Sequence, residues 1–169
     1  MGMTLIEHIE VDAAGISYIE FLSLPQTGID LIIKCSLRSS YGTGYQGYIT
    51  LNGGLVSGTY QWIALNGSGA SVSASGGDPW NSNKLPYVYV NPFSDTASTF
   101  SSNSVHIANY AGNQIKIASI EGVTENNGTT ARQIISGAAR NNTDAITSLR
   151  VYVDFGQYSS ASVYMTTAD

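Results

Sequence analysis

Apolar and polar residues alternate in short runs along the whole chain, and turn-forming Gly, Asn, Ser and Thr separate the runs. The clearest run is Ser148-Leu149-Arg150-Val151-Tyr152-Val153-Asp154-Phe155. Leu149, Val151, Val153 and Phe155 fall on one side; Ser148, Arg150, Tyr152 and Asp154 fall on the other. A period of two with one apolar face predicts a half-buried strand. The same reading predicts strands over residues 16–24, 29–37, 46–51, 59–65, 84–91, 104–110, 114–123, 131–139, 146–155 and 161–166, with a further N-terminal strand from Thr4 to Val11. The phase slips between Tyr18 and Ile19, which predicts a bulge or burial on both faces. Pro86 predicts that its strand lies at a sheet edge. Residues 131–139 contain helix-favouring alanines, but Ile134-Ile135 and Gly137 argue for a strand.

Asn52-Gly53-Gly54, Ala111-Gly112-Asn113, Asn126-Asn127-Gly128 and Asn141-Asn142-Thr143 mark turns. Residues 66–98 interrupt the rhythm. Their low-complexity start, 66–77, reads as a mobile Gly/Ser loop. Asp78-Pro79-Trp80-Asn81 breaks the pattern, and one short edge strand follows. Roughly ten strands at this spacing, with no ten-residue stretch of helical period, predict an all-β fold: two packed antiparallel sheets of jelly-roll type. A length of 169 residues fits one domain, 1–169, large enough to bury its own core.

Composition narrows the chemistry. Charged residues make up only 11% of the chain, so hydroxyls, amides and glycine must carry its solubility. The net charge is −5 and the seven Lys and Arg form no cluster, which argues against a nucleic-acid partner. No run approaches the length of a membrane span, and no basic amphipathic stretch suggests a membrane surface. The start of the chain, Met1-Gly2-Met3-Thr4-Leu5, lacks the pattern of a signal peptide, so synthesis in the cytoplasm is expected. Cys35 is alone, in phase with Ile33 and Leu37, and reads as a small core residue.

No catalytic constellation stands out. His8 and His106 are far apart, and His106 between Val105 and Ile107 should face away from the core. Glu7, Glu10, Asp12 and Glu20 read as a solvated acidic face before they read as paired glycosidase carboxylates. No spacing of ligands predicts zinc or calcium, and no cofactor is expected. Eleven tyrosines remain. Tyr suits interfaces because it buries area and keeps a polar tip. Tyr41, Tyr45, Trp80, Tyr87 and Tyr89, with Tyr48 nearby, are the candidates for stacking on a sugar or anchoring a protein partner.

Several segments resemble a group of bacteriophage virion proteins: Tyr18 to Thr27, Asp30 to Ser39, Val105 to Gly112, Glu125 to Ala131, Ala145 to Leu149 and Ser159 to Met165. The resemblance implies a β-sandwich module of a capsid exterior, tail or fibre, and supplies no catalytic residues. Two functions follow as expectations. The first is a capsid decoration, or cement, protein. It would bind the outside of the shell as a homo-oligomer, with a trimer at three-fold positions as the natural form, and the Thr4–Val11 strand would add to a partner's sheet. The alternative is a tail-fibre or tail-tip module that grips host polysaccharide through the five aromatics.

Overall fold

The computed structural model describes residues 2–42, 46–53, 59–82, 84–124, 127, 131–152 and 158–168, and their side chains except at 78–82 and 86. Twelve strands form among these residues. They are β1 (Gly2–Glu10), β2 (Tyr18–Phe21), β3 (Leu31–Leu37), β4 (Gln46–Leu51), β5 (Tyr60–Ser68), β6 (Ser71–Ser82), β7 (Leu85–Tyr89), β8 (Ser101–Ala108), β9 (Lys116–Thr124), β10 (Arg132–Arg140), β11 (Leu149–Tyr152) and β12 (Ser160–Thr167). The larger sheet has the order β1-β12-β3-β8-β9-β10-β5-β6, and the smaller has β2-β11-β4-β7. All strand pairs are antiparallel.

Without the hairpins β5–β6 and β9–β10, the sheets read β1-β12-β3-β8 and β2-β11-β4-β7. The pairs are nested: β1 with β12, β2 with β11, β3 with β8, β4 with β7. Such nesting across two sheets is jelly-roll connectivity. The two hairpins are insertions, one between β4 and β7 and one between β8 and β11. They meet as β10 against β5 and extend the larger sheet sideways by four strands. This extension places an outer face beyond the ordinary sandwich.

Strict alternation builds the core. β3 buries Leu31, Ile33, Cys35 and Leu37, and β8 buries Val105 and Ile107. β2 and β11 answer with Ile19, Phe21, Leu149 and Val151. β7, the outermost strand of the smaller sheet as Pro86 predicted, lies beneath β8, β9, β10 and β5. There Tyr89 joins Ala64 and Ile134 in a second apolar cluster, with Trp62 and Tyr87 packed against it.

A side chain stitches the two sheets together at that point. Asn103 on β8 is buried; its Oδ1 accepts from Tyr89 N (2.7 Å) and its Nδ2 donates to Tyr89 O (2.8 Å). Gly122 is its register partner on β9. A Cβ there would lie 2.5 Å from Asn103 Oδ1, so only glycine leaves room for the amide.

Three expectations are corrected. Residues 66–77 are not a loop but the end of β5, a turn and the start of β6, paired from Ser68↔Ser71 to Trp62↔Gly77. Gly69 takes φ +58 at the turn, which glycine adopts without strain. Small side chains disguised this hairpin, because backbone ladder bonds need no apolar face. The bulge expected at Tyr18–Ile19 is absent: β2 pairs with β11 in unbroken register, and Ile16 and Leu22 simply lie outside it and are exposed. The strand count, about ten, becomes twelve: β6 is the strand absent from the eleven runs read along the sequence.

Candidate interaction surface

The outer face of the larger sheet divides in two. Over β12, β3 and β8 it is largely polar, while Met3 and Leu5 stand exposed on β1. His8 Nδ1 lies 2.7 Å from Ser162 Oγ, Lys34 Nζ donates to Ser104 Oγ (2.8 Å), and His106 Nε2 lies 3.0 Å from Asp30 Oδ2. Over β9, β10, β5 and β6 exposed aliphatics dominate, with Gln61, Ser119, Glu121 and Gln133 among them. Ile63 and Leu65 stand on β5, Ile135 on β10, Ile117 and Val123 on β9, and Val72 on β6, all exposed. Register sets Leu65 beside Ile135, and Ile63 beside Gly137. The glycines leave gaps between these side chains: one depression lies at Gly137 beside Ile63, another at Gly67 between Leu65, Val72 and Ile135.

Several groups invite a chemical reading. Ser162, His8 and Glu10 form a chain of contacts, with His8 Nε2 3.3 Å from Glu10 Oε1. The order of atoms resembles a nucleophile, base and orienting acid. Yet Glu10 is 81% exposed, and β1 and β12 are flat paired strands whose amides serve the ladder. Among the described residues, no three His, Cys, Asp or Glu side chains gather as a metal site.

The cations behave structurally. Lys116 is buried, and its Nζ donates to the carbonyls of Gly112, Gln114 and Thr143. Desolvation and the neighbouring Arg140 push its pKa down. Arg140, its register partner, is also buried, and its Nε and Nη1 have no hydrogen-bond partner. Arg38 holds the loop after β7, donating from Nη1 to Thr96 O and Thr99 O and from Nη2 to Phe93 O and Asp95 O.

The smaller sheet carries a tyrosine row on its outer face. Tyr48 stacks on Tyr152 (4.6 Å, 18°), and Tyr152 meets Tyr18 (5.3 Å, 48°). Lys84 Nζ sits 4.1 Å from the centre of the Tyr48 ring, and the Arg150 guanidinium 4.7 Å from that of Tyr18. Arg150 also binds Glu20 at 2.7 Å. The ring faces are therefore taken by neighbours, and the row stabilises the sheet through cross-strand pairs. Sequence reasoning had the signal, since Arg150 and Tyr152 share a polar face, but not the register that aligns three strands.

No protein-family model, curated protein or solved structure matches the chain.

The five aromatics singled out from sequence are dispersed in role. Tyr41 is 55% exposed after β3, where its carbonyl accepts from Phe93 N. Tyr45 lies outside the described residues, and Trp80 is described only as part of the β6 backbone. Tyr87 meets Trp62 edge-on at 5.4 Å in the second cluster. Tyr89 is buried, and desolvation raises its pKa. Tyr89 thus serves packing, and half-buried Tyr87 packs against the same cluster. The exposed aliphatics of the extension escaped the sequence reading. Their signal was present in the alternation of Ile63 and Leu65 with Trp62 and Ala64, but which side faced outward depended on β7 lying beneath.

Proposed function

We propose that this chain is a non-enzymatic structural protein of a bacteriophage virion, a capsid decoration protein that attaches by adding a strand to a shell subunit. One observation carries the reading. β1 is an edge strand, and its first half, Gly2 to Leu5, is exposed throughout and uncharged, with Met3 and Leu5 bare. Its second half has the protections that edges usually carry: a register shift between Leu5 and Glu7, then Glu7, His8 and Glu10. An edge left unprotected over one half is a site for strand addition, with main-chain bonds for affinity and alternate side chains for fit. Binding to the assembled shell alone then stabilises it by mass action.

The test is binding of the full chain to expanded, empty capsids of the source phage. The expected result is saturation at on the order of hundreds of copies per particle and a raised capsid melting temperature. The double variant Met3→Lys, Leu5→Lys should fold normally and lose binding. Tens of copies confined to the tail, or binding untouched by the variant, would refute the reading.

A further inference from the structure

We infer that two copies of this chain associate face to face through the apolar half of the larger sheet, around a two-fold axis lying in the plane between them. This face is separate from the β1 edge, so the inference stands on observations of its own.

Area points to a partner of this kind. Ile63, Leu65, Val72, Ile117, Val123 and Ile135 are between 42% and 77% exposed. At roughly 120 Å² for a fully exposed aliphatic side chain they offer about 400 Å² of apolar surface. A stable interface needs about 800 Å² from each partner, of which about 450–500 Å² is apolar. The face therefore comes close to the full apolar requirement of one side of a standard interface. It falls within the roughly 300–600 Å² of the largest apolar patch on a monomer, a patch that is often functional.

Charge and relief favour a second copy over a dissimilar partner. Within the patch on β9, β10 and β5, Glu121 is the charged residue facing outward among those described. Glu121 carries one negative charge, so −4 of the net −5 lies outside the patch, and two such faces meet with little repulsion. The relief is self-complementary. Ile63, Leu65 and Ile135 project, and Gly137 lies beside them with nothing within 4 Å of a would-be Cβ. Turning one copy over about an axis between β10 and β5, parallel to the strands, sets Ile63 of each copy above Gly137 of the other. Leu65 then meets Ile135. Two sheets packed this way resemble the inside of a sandwich.

The experiment is sedimentation equilibrium of the full chain over a concentration series, alongside two variants. Wild type should be dimeric at about 100 µM. Ile135→Glu places a carboxylate in each half of a dry interface and should weaken association at least about 100-fold. Gly137→Leu fills the gap that receives Ile63. The open space around Gly137 leaves the monomer's melting temperature unchanged or raised, while dimerisation falls at least about 10-fold. A monomeric wild type, a trimer, or a dimer indifferent to both variants would overturn the inference. Ile135→Glu should still bind capsids through β1, so failure here and failure of strand addition are read from different variants.

Discussion

Replacing Asn103 with Ala should detach β7 from the larger sheet, and the cost can be worked from the contacts. The amide makes two bonds to Tyr89 and donates a third to Ser101 Oγ at 3.0 Å. Removing it orphans Tyr89 N–H beneath the sheet. Tyr89 O keeps a donor, because Ser101 Oγ reaches it at 2.5 Å. A buried donor left unsatisfied costs about 1–3 kcal/mol, and the loss of the second bond adds about 1 kcal/mol. The sum, about 2–4 kcal/mol, is a large share of the 5–15 kcal/mol that holds a domain together. Urea unfolding should show a lower midpoint at unchanged slope, if the loss is global. Native-state hydrogen exchange tests the location: the Tyr89 amide should exchange through a local opening of lower free energy than the global unfolding that exposes Ile33 and Val105 in the main core. Gly122→Ala should reproduce the effect, because its Cβ strikes the same amide. A loss under about 1 kcal/mol, or a Tyr89 amide that exchanges only with global unfolding, would refute the view that this amide fastens the sheets.

Two further perturbations probe buried polar groups. Arg140→Met should be neutral or stabilise the fold by about 1 kcal/mol, because it removes a buried charge with two unpartnered nitrogens beside Lys116; chemical denaturation measures it, and a loss above about 2 kcal/mol would show that the guanidinium is satisfied in solution. Burial pushes the Cys35 thiol from 9.0 up to about 12, so the folded state holds its proton more tightly than the unfolded. This contribution is complete below pH 9 and declines as pH rises toward 12, at up to about 1.4 kcal/mol per unit. Cys35→Val should therefore lose less stability than wild type between about pH 8 and about pH 10.5 in urea titrations; parallel losses would contradict the burial.

How far the sequence carries depends on what each strand buries. Where one face meets the core, alternation was decisive: β4 falls at residues 46–51 as expected, and β3, β9 and β10 fall within about two residues. β6 was hidden, because Ser71 to Gly77 bury almost nothing and owe their shape to the ladder with β5. Tyr89 turned inward for a related reason. Tyrosine near glycine suits a loop contact, yet Tyr89 became core once the extension gave it a roof. Burial of such a residue is decided by a partner more than twenty residues away, and no local window contains it.

The two hairpins explain both the hidden core and the bare surface. A plain jelly roll would end its larger sheet near β8, with little sheet beyond the smaller one. Inserting β5–β6 and β9–β10 widens the larger sheet by four strands, while the smaller keeps four. β7 alone cannot cover the added inner face, so Tyr87, Tyr89, Trp62 and Ile134 fill it. On the outer face nothing comparable exists among the described residues, and Ile63, Leu65 and Ile135 are exposed. Aliphatic side chains there give one copy little beyond cross-strand pairs such as Leu65 with Ile135, and carry a risk of aggregation. Serine or threonine would suit a strand facing water equally well, as β8 demonstrates with Ser102 and Ser104 on the same face. The contrast between the two halves of one sheet is the physical reason to assign the apolar half to assembly rather than to folding.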